Sequence, residues 1–136
     1  KLVLSSGANI KFHIWDTGGQ ERFRSMANLY YQDAAAAILT YDVTNEKSFE
    51  SLNYWIEELS NKIDQDKIIL CLAGNKADCD SNEKKVQYSQ AKQVAEDHNM
   101  IFFETSAKKD IGIKDLFSTL GKKIYDKKNT KQDPNY

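Results

Sequence analysis

The sequence predicts an α/β fold, a mostly parallel sheet flanked by helices, and three observations carry that prediction. From residue 34 onward, short continuous apolar runs at 34–41, 67–73 and 100–104 alternate with amphipathic stretches. Each run stops at a polar turn: Asp42, then Gly74-Asn75-Lys76-Ala77-Asp78, then Thr105-Ser106-Ala107-Lys108. The stretches between them carry apolar residues at the three-and-four spacing of one helical face. Runs that are apolar throughout suit strands covered on both faces, and ligands of such sheets gather just past the strands' carboxyl ends.

Taken in order, Lys1 to Leu4 is a short apolar run, and Ser5-Ser6-Gly7-Ala8-Asn9 has the composition of a hairpin turn. It leads into a predicted strand at 10–15, with Ile10, Phe12 and Ile14 on one face. Glu21 to Tyr31 is weakly helical and is expected to be a mobile loop ending in a short helix. After the run at 34–41, Thr44 or Asn45 can cap a helix whose buried face is Phe49, Leu52, Trp55, Ile56, Leu59 and Ile63. Tyr88, Ala91, Val94 and Ala95 mark the next helix, ending near Asn99. The last helix covers about 113–125, with Ile113, Leu116, Phe117, Leu120 and Ile124 inward. Residues 127–136 are polar, hold the one proline and are expected to fray.

At 136 residues the chain is long enough for one domain with a single core and too short for two. Its 40% hydrophobic and 29% charged residues suit an ordinary soluble globular protein. A formal net charge of −1 gives no reason to expect nucleic-acid binding. No apolar run is long enough to span a bilayer, and no signal-peptide pattern opens the chain. Two cysteines, Cys71 in an apolar run and Cys79 after a polar turn, form no disulfide framework. A reducing cytosol is the expected setting, with Cys71 buried and Cys79 exposed. His13 and His98 have no second ligand at metal-binding spacing.

The chemistry is concentrated in three stretches. Ile14-Trp15-Asp16-Thr17-Gly18-Gly19-Gln20-Glu21-Arg22-Phe23 ends a predicted strand at an acid followed by two glycines. Asp16 can hold magnesium through water, the Gly19 backbone can offer its N–H to a phosphate, and Gln20 can orient an attacking water. The competing account is a plain strand and glycine turn. In the second stretch the Asp78 carboxylate can accept two N–H bonds from a guanine edge, a donor pair adenine lacks. Asn75 can tie neighbouring loops, and the aliphatic stem of Lys76 can cover the base. A polar αβ loop with a helix cap at Asp78 is the alternative there. The third, Glu104 to Lys108, is otherwise a solvated turn with a capping serine.

These stretches resemble the small Ras-like GTPases. Asp16-Thr-Gly-Gly-Gln20 is similar to the family's Asp-x-x-Gly-Gln signature, Asn75-Lys-Ala-Asp78 to its guanine-specificity element, and Glu104-Thr-Ser-Ala-Lys108 to its second guanine loop. The flanking Ile-Trp and Arg-Phe, and Ala36-Ala-Ile-Leu-Thr-Tyr-Asp-Val-Thr-Asn-Glu-Lys-Ser-Phe49, look most like the Rab branch and its early-endosomal members. The resemblance implies a P-loop NTPase of the small GTPase type over residues 1–126, followed by a polar tail at 127–136. It implies GTP/GDP and magnesium as ligands, Gln20 as the water-orienting group, Asp16 at the metal and Gly19 at the γ-phosphate. Asn75, Lys76, Asp78, Ser106, Ala107 and Lys108 would serve the base, with the Ala107 N–H donating to the guanine carbonyl. Exchange factors, GTPase-activating proteins and effectors are the implied partners, through Trp15, Tyr30 and the 18–31 segment, although a large aromatic on a strand is also commonly plain packing. A cytoplasmic protein cycling to endosomal membranes in vesicle traffic follows.

The sequence departs from the family in three ways. It contains no Gly-x-x-x-x-Gly-Lys-Ser/Thr, the loop that cradles phosphates, so the first strand and helix of the family are expected to be missing from this chain. That strand lies between those at 10–15 and 34–41, and bare buried strand edges would favour either further N-terminal residues or rescue by strand exchange or a non-native oligomer. Gly18 stands where Rabs carry alanine, and no C-terminal cysteine pair is present for a lipid anchor. These departures leave a second expectation, a non-catalytic fragment or interaction module that binds no nucleotide. A flavodoxin-like or receiver domain is a third, which leaves the guanine-type loops unexplained.

Overall fold

The computed structural model describes residues 1–17, 33–64 and 66–130. Its centre is a three-stranded parallel sheet in the order β3 (Ala36–Asp42), β4 (Ile69–Asn75), β5 (Ile101–Glu104). A separate antiparallel hairpin, β1 (Leu2–Val3) and β2 (Asn9–Ile10), precedes it. Four helices complete the described fold: α1 (Glu46–Glu50), α2 (Leu52–Lys62), α3 (Tyr88–Asp97) and α4 (Ile113–Thr130).

The predicted strand at 10–15 shortens to the end of β2. Leu2 faces Ile10 and Val3 faces Asn9, Leu4 N–H bonds Ala8 O at 2.8 Å, and Gly7 adopts φ +86° to close the turn. From Lys11 to Thr17 no ladder forms among the described residues. Without a ladder the two-residue alternation is no longer enforced. Ile10 and Phe12 pack under α4, where the Phe12 and Phe117 rings meet edge-on at 5.3 Å, but Ile14 is exposed.

The expected helix after Asn45 is two helices, α1 and α2, joined at Ser51. Asn45 is the cap: its side chain accepts from Ser48 N at 3.3 Å, and the Ser48 hydroxyl returns to Asn45 O at 2.6 Å. Strand β4 continues through Gly74 to Asn75 instead of stopping at Ala73, and α4 runs on to Thr130 instead of ending near 125. The expected two-sided burial of 34–41 is incomplete, since Thr40 is exposed.

Among the described residues the expected single core is two clusters, because a helix-covered parallel sheet needs one apolar layer on each face. On one face Leu39, Tyr41 and Val43 of the β3 region, with Leu70 and Leu72 of β4, meet Leu52, Ile56 and Leu59 of α2 and Ala91 and Ala95 of α3. On the other, Cys71, Ala73 and Ile101 meet Leu116 and Leu120 of α4. Cys79 is only partly exposed and packs against the first layer, contrary to expectation. Among the described residues no helix is long and apolar enough to cross a membrane.

Burial of Cys71 pushes its thiol up to about 12, partly opposed by the charge of Lys123. Because the folded value lies above the unfolded one, the stability this group contributes is intact below the unfolded value near 8.5 and is lost as pH rises toward the folded one. We expect urea midpoints to fall between about pH 9 and 11, at up to about 1.4 kcal/mol per pH unit from this thiol. Cys71→Ala should start from a lower plateau but decline less steeply.

Candidate functional site

Parallel register brings the polar ends of the central strands level. Asp42 lies opposite Asn75, and Gly74 lies between Tyr41 on one side and Glu104 on the other. The chain therefore leaves three adjacent strands at one edge, and the polar loops that follow are neighbours by construction.

Backbone and side chains then lock two of these loops together. Thr105 N–H donates to Gly74 O at 2.8 Å, and Ala77 N–H donates to Thr105 O at 2.9 Å. The Asn75 side-chain oxygen accepts from Ala107 N at 3.0 Å and from the Thr105 hydroxyl at 3.4 Å. Ser106, with 0% of its surface exposed, donates its hydroxyl to Asp78 Oδ1 at 2.8 Å and accepts from Lys109 N at 3.0 Å. Ser106 and Ile111 exchange both backbone bonds, at 2.9 and 3.0 Å, so the loop is pinned at its base. Gly112 closes it at φ +72°, where a Cβ would lie 2.7 Å from Glu104 O.

Lys76 takes φ +64°, unusual for a lysine, and its ammonium pairs with Asp42 Oδ2 at 2.7 Å. Asp42 also accepts from the Thr44 backbone at 2.8 Å and the Thr44 hydroxyl at 2.6 Å. Burial raises the Asp42 carboxyl, but Lys76 and Thr44 outweigh it and hold the group below the usual carboxylate range. The Lys76 ammonium is raised in turn by its bond to Asp42.

The connection between Asp78 and α3 is also fastened to this edge. Lys84 pairs with Glu104 at 2.6 Å, and Lys85 and Val86 both donate their N–H to Val43 O, at 2.8 and 3.1 Å. Asp42, Lys84 and Thr105 join the site as partners that no motif in the sequence announces. Asp42 was accessible in principle, since parallel pairing of the 34–41 and 67–73 runs sets their ends side by side. The ion pair of Lys84 had no sequence signal, because it depends on the path of a loop.

Of the residues expected to form the site, Asn75, Lys76, Asp78, Ser106 and Ala107 are brought together, with Lys108 exposed on the same loop. The Ala107 N–H, expected to face a base carbonyl, is held by Asn75 instead. Asp16 and Trp15 are exposed, Trp15 at 69%, and follow β2 on the stretch outside the ladder. Gly19, Gln20, Tyr30 and the 18–31 segment lie outside the described residues.

The chemistry of this edge fits a guanine. Asp78 is exposed with Oδ1 engaged by Ser106, and a carboxylate has lone pairs left to accept a pair of N–H donors. Asp16 is a single exposed carboxylate, suited to an ion that keeps most of its waters and takes other ligands from phosphates, as magnesium does. Among the described residues no group of three or more His, Cys, Asp or Glu side chains could form a protein-only metal cage.

This combination of a parallel sheet with two interlocked polar loops at its carboxyl edge is that of a Ras-type domain, and the family model described as Ras family matches residues 1–126. The chain belongs to the Ras family and fits the Rab type. It is 40% identical over 138 residues to GTP-binding protein YPT52 of Saccharomyces cerevisiae, an overlap covering 88% of this chain and 59% of that protein. It is 43% identical over 124 residues to Ras-related protein RabJ of Dictyostelium discoideum, covering 91% and 48%, and 38% identical over 124 residues to Ras-related protein Rab-26 of Drosophila melanogaster, covering 91% and 32%. The chain thus spans between about a third and three fifths of the length of these curated relatives.

Proposed function

We propose that these residues supply the guanine-reading and switch portion of a Rab-type GTP hydrolase acting in vesicle traffic at endosomal membranes. The observation that supports this most is the Ser106–Asp78 hydrogen bond, which fixes an exposed carboxylate at the carboxyl edge of the sheet. Held there, Asp78 accepts from the two N–H donors of guanine, and the stem of Lys76, its ammonium secured by Asp42, lies along the base. Asn75 keeps the Ala107 N–H in place until a base carbonyl competes for it. Gln20 orients water toward the γ-phosphate, Gly19 senses that phosphate, and Asp16 is the metal-side carboxylate. Magnesium, when bound, supplies charge neutralisation at the phosphates. Hydrolysis then frees the 18–31 segment, which with Trp15 and Tyr30 meets exchange factors, GTPase-activating proteins and effectors.

The 136 residues by themselves hold no phosphate-cradling loop sequence, so they bind GTP weakly and hydrolyse it negligibly. A second reading, a non-catalytic module that docks partners through Trp15 and Tyr30, draws on the exposure of Trp15. Amide shifts on titration with GTP and magnesium separate the two. Perturbation of Asn75, Asp78 and Ala107 by GTP and not by ATP is the expected result. Equal response to both nucleotides overturns base reading, and submicromolar calorimetric affinity overturns the need for further phosphate contacts.

A further inference from the structure

The opposite edge of the sheet, at the amino ends of β4 and β5, carries a second concavity with different chemistry. A cavity of about 370 Å³ is lined by Asp66, Ile68, Ile69, Leu70, His98, Asn99, Lys123 and Lys127. An adjoining one of about 140 Å³ shares Ile69 and Lys127 and adds Lys67 and Lys128. Two features make the larger cavity electrostatically unbalanced. On α4, Lys122 is matched by Asp126 one turn on, at 3.3 Å. Lys123 and Lys127 are also one turn apart, Asp126 beside them is taken by Lys122, and among the described residues neither makes an ion pair. Like charges at this spacing repel, and both side chains line the same cavity, with Lys127 half-buried. Among the described residues Asp66 is the only acid in the lining, and it makes no ion pair with them.

We propose that this cavity is a binding site for a phosphate-class anion, either a free phosphate or the phosphorylated headgroup of a lipid. Lys123 and Lys127 supply charge from one side. The side-chain amide of Asn99 and the ring N–H of His98 are the further donors from the α3–β5 turn, where Asn99 takes φ +54°. The volume admits a phosphate with waters or a phosphorylated ring. The opposing terms are Asp66 and the carbonyl end of α3, capped at His98, which both favour cations. The site lies across the sheet from the base loops and uses none of their residues, so it stands or falls apart from nucleotide binding.

The test is an amide-shift titration of the 136-residue chain with sodium phosphate, with sodium chloride at matched ionic strength as the control, since bulk screening acts on all exposed charges alike. Saturable shifts at Leu70, His98, Asn99, Lys123 and Lys127, absent with chloride, are expected. Lys123→Gln with Lys127→Gln should weaken the affinity about tenfold or more, while Asp66→Asn should tighten it severalfold. That gain cannot come from misfolding. Soluble inositol trisphosphate, and phosphatidylcholine vesicles carrying either a phosphoinositide or phosphatidylserine at equal charge, separate a free ligand from a headgroup. Equal response to chloride and phosphate, or unchanged affinity in the double lysine variant, overturns the proposal.

Discussion

Gly74→Ala is expected to destabilise the fold by about 2–3 kcal/mol, measured as a lower urea midpoint with an unchanged slope. A Cβ at Gly74 would stand 2.5 Å from Tyr41 Oη, 2.7 Å from its Cζ and 3.1 Å from Val43 Cγ1. Tyr41 and Val43 are 1% and 0% exposed, so neither can swing into solvent. The strand register leaves no other course, because Gly74 sits between Tyr41 and Glu104 and the phenol lies over the space its missing side chain leaves. Tyr41 Oη is buried with no hydrogen-bond partner among the described residues, and burial together with the Glu104 charge pushes its pKa up. Tyr41→Phe should accordingly be neutral or mildly stabilising alone, and should recover part of the loss in the Gly74→Ala background. Strict additivity of the two changes would mean the phenol is not what the new methyl strikes.

Asp78→Asn is expected to abolish the preference for GTP over ATP, with a loss of at least tenfold in the GTP response of the Asn75 and Ala107 amides. Two charge-assisted bonds to the base each carry about 1.5–3 kcal/mol, and an amide turns one acceptor into a donor facing a donor. The Ser106 hydroxyl can still donate to the amide oxygen, so the thermal midpoint should move little. A variant that lost stability and nucleotide response together would point to a loop-holding role for Asp78. A change in preference at constant stability is the mark of base reading.

Apolar runs and their polar stops located the central strands to within two residues, because a strand covered by helices has few ways to be anything but hydrophobic. The cap was readable as Thr44 or Asn45, and Asn45 takes it, its side chain acting on the backbone only three residues away. The strand at 10–15 was misjudged for the opposite reason. Alternation at Ile10, Phe12 and Ile14 states a tendency, and only a paired neighbour turns it into a ladder. The partners of Asn75 and Asp78 were readable only as a meeting of loops. Which hydrogen bond each makes depends on distances set by the whole sheet, as the Ala107 N–H held by Asn75 illustrates.

Helix α4 carries Gly121 at the point where the hairpin docks, and an ideal Cβ there would come within 3.0 to 3.2 Å of Leu2, Ile10 and Phe12. Glycine inside a helix forgoes about 1 kcal/mol relative to alanine, so the helix yields local preference for closeness to its neighbour. A methyl gained at 121 would press on the outer ends of Leu2, Ile10 and Phe12, and the hairpin would have to ride a few tenths of an ångström further from the helix.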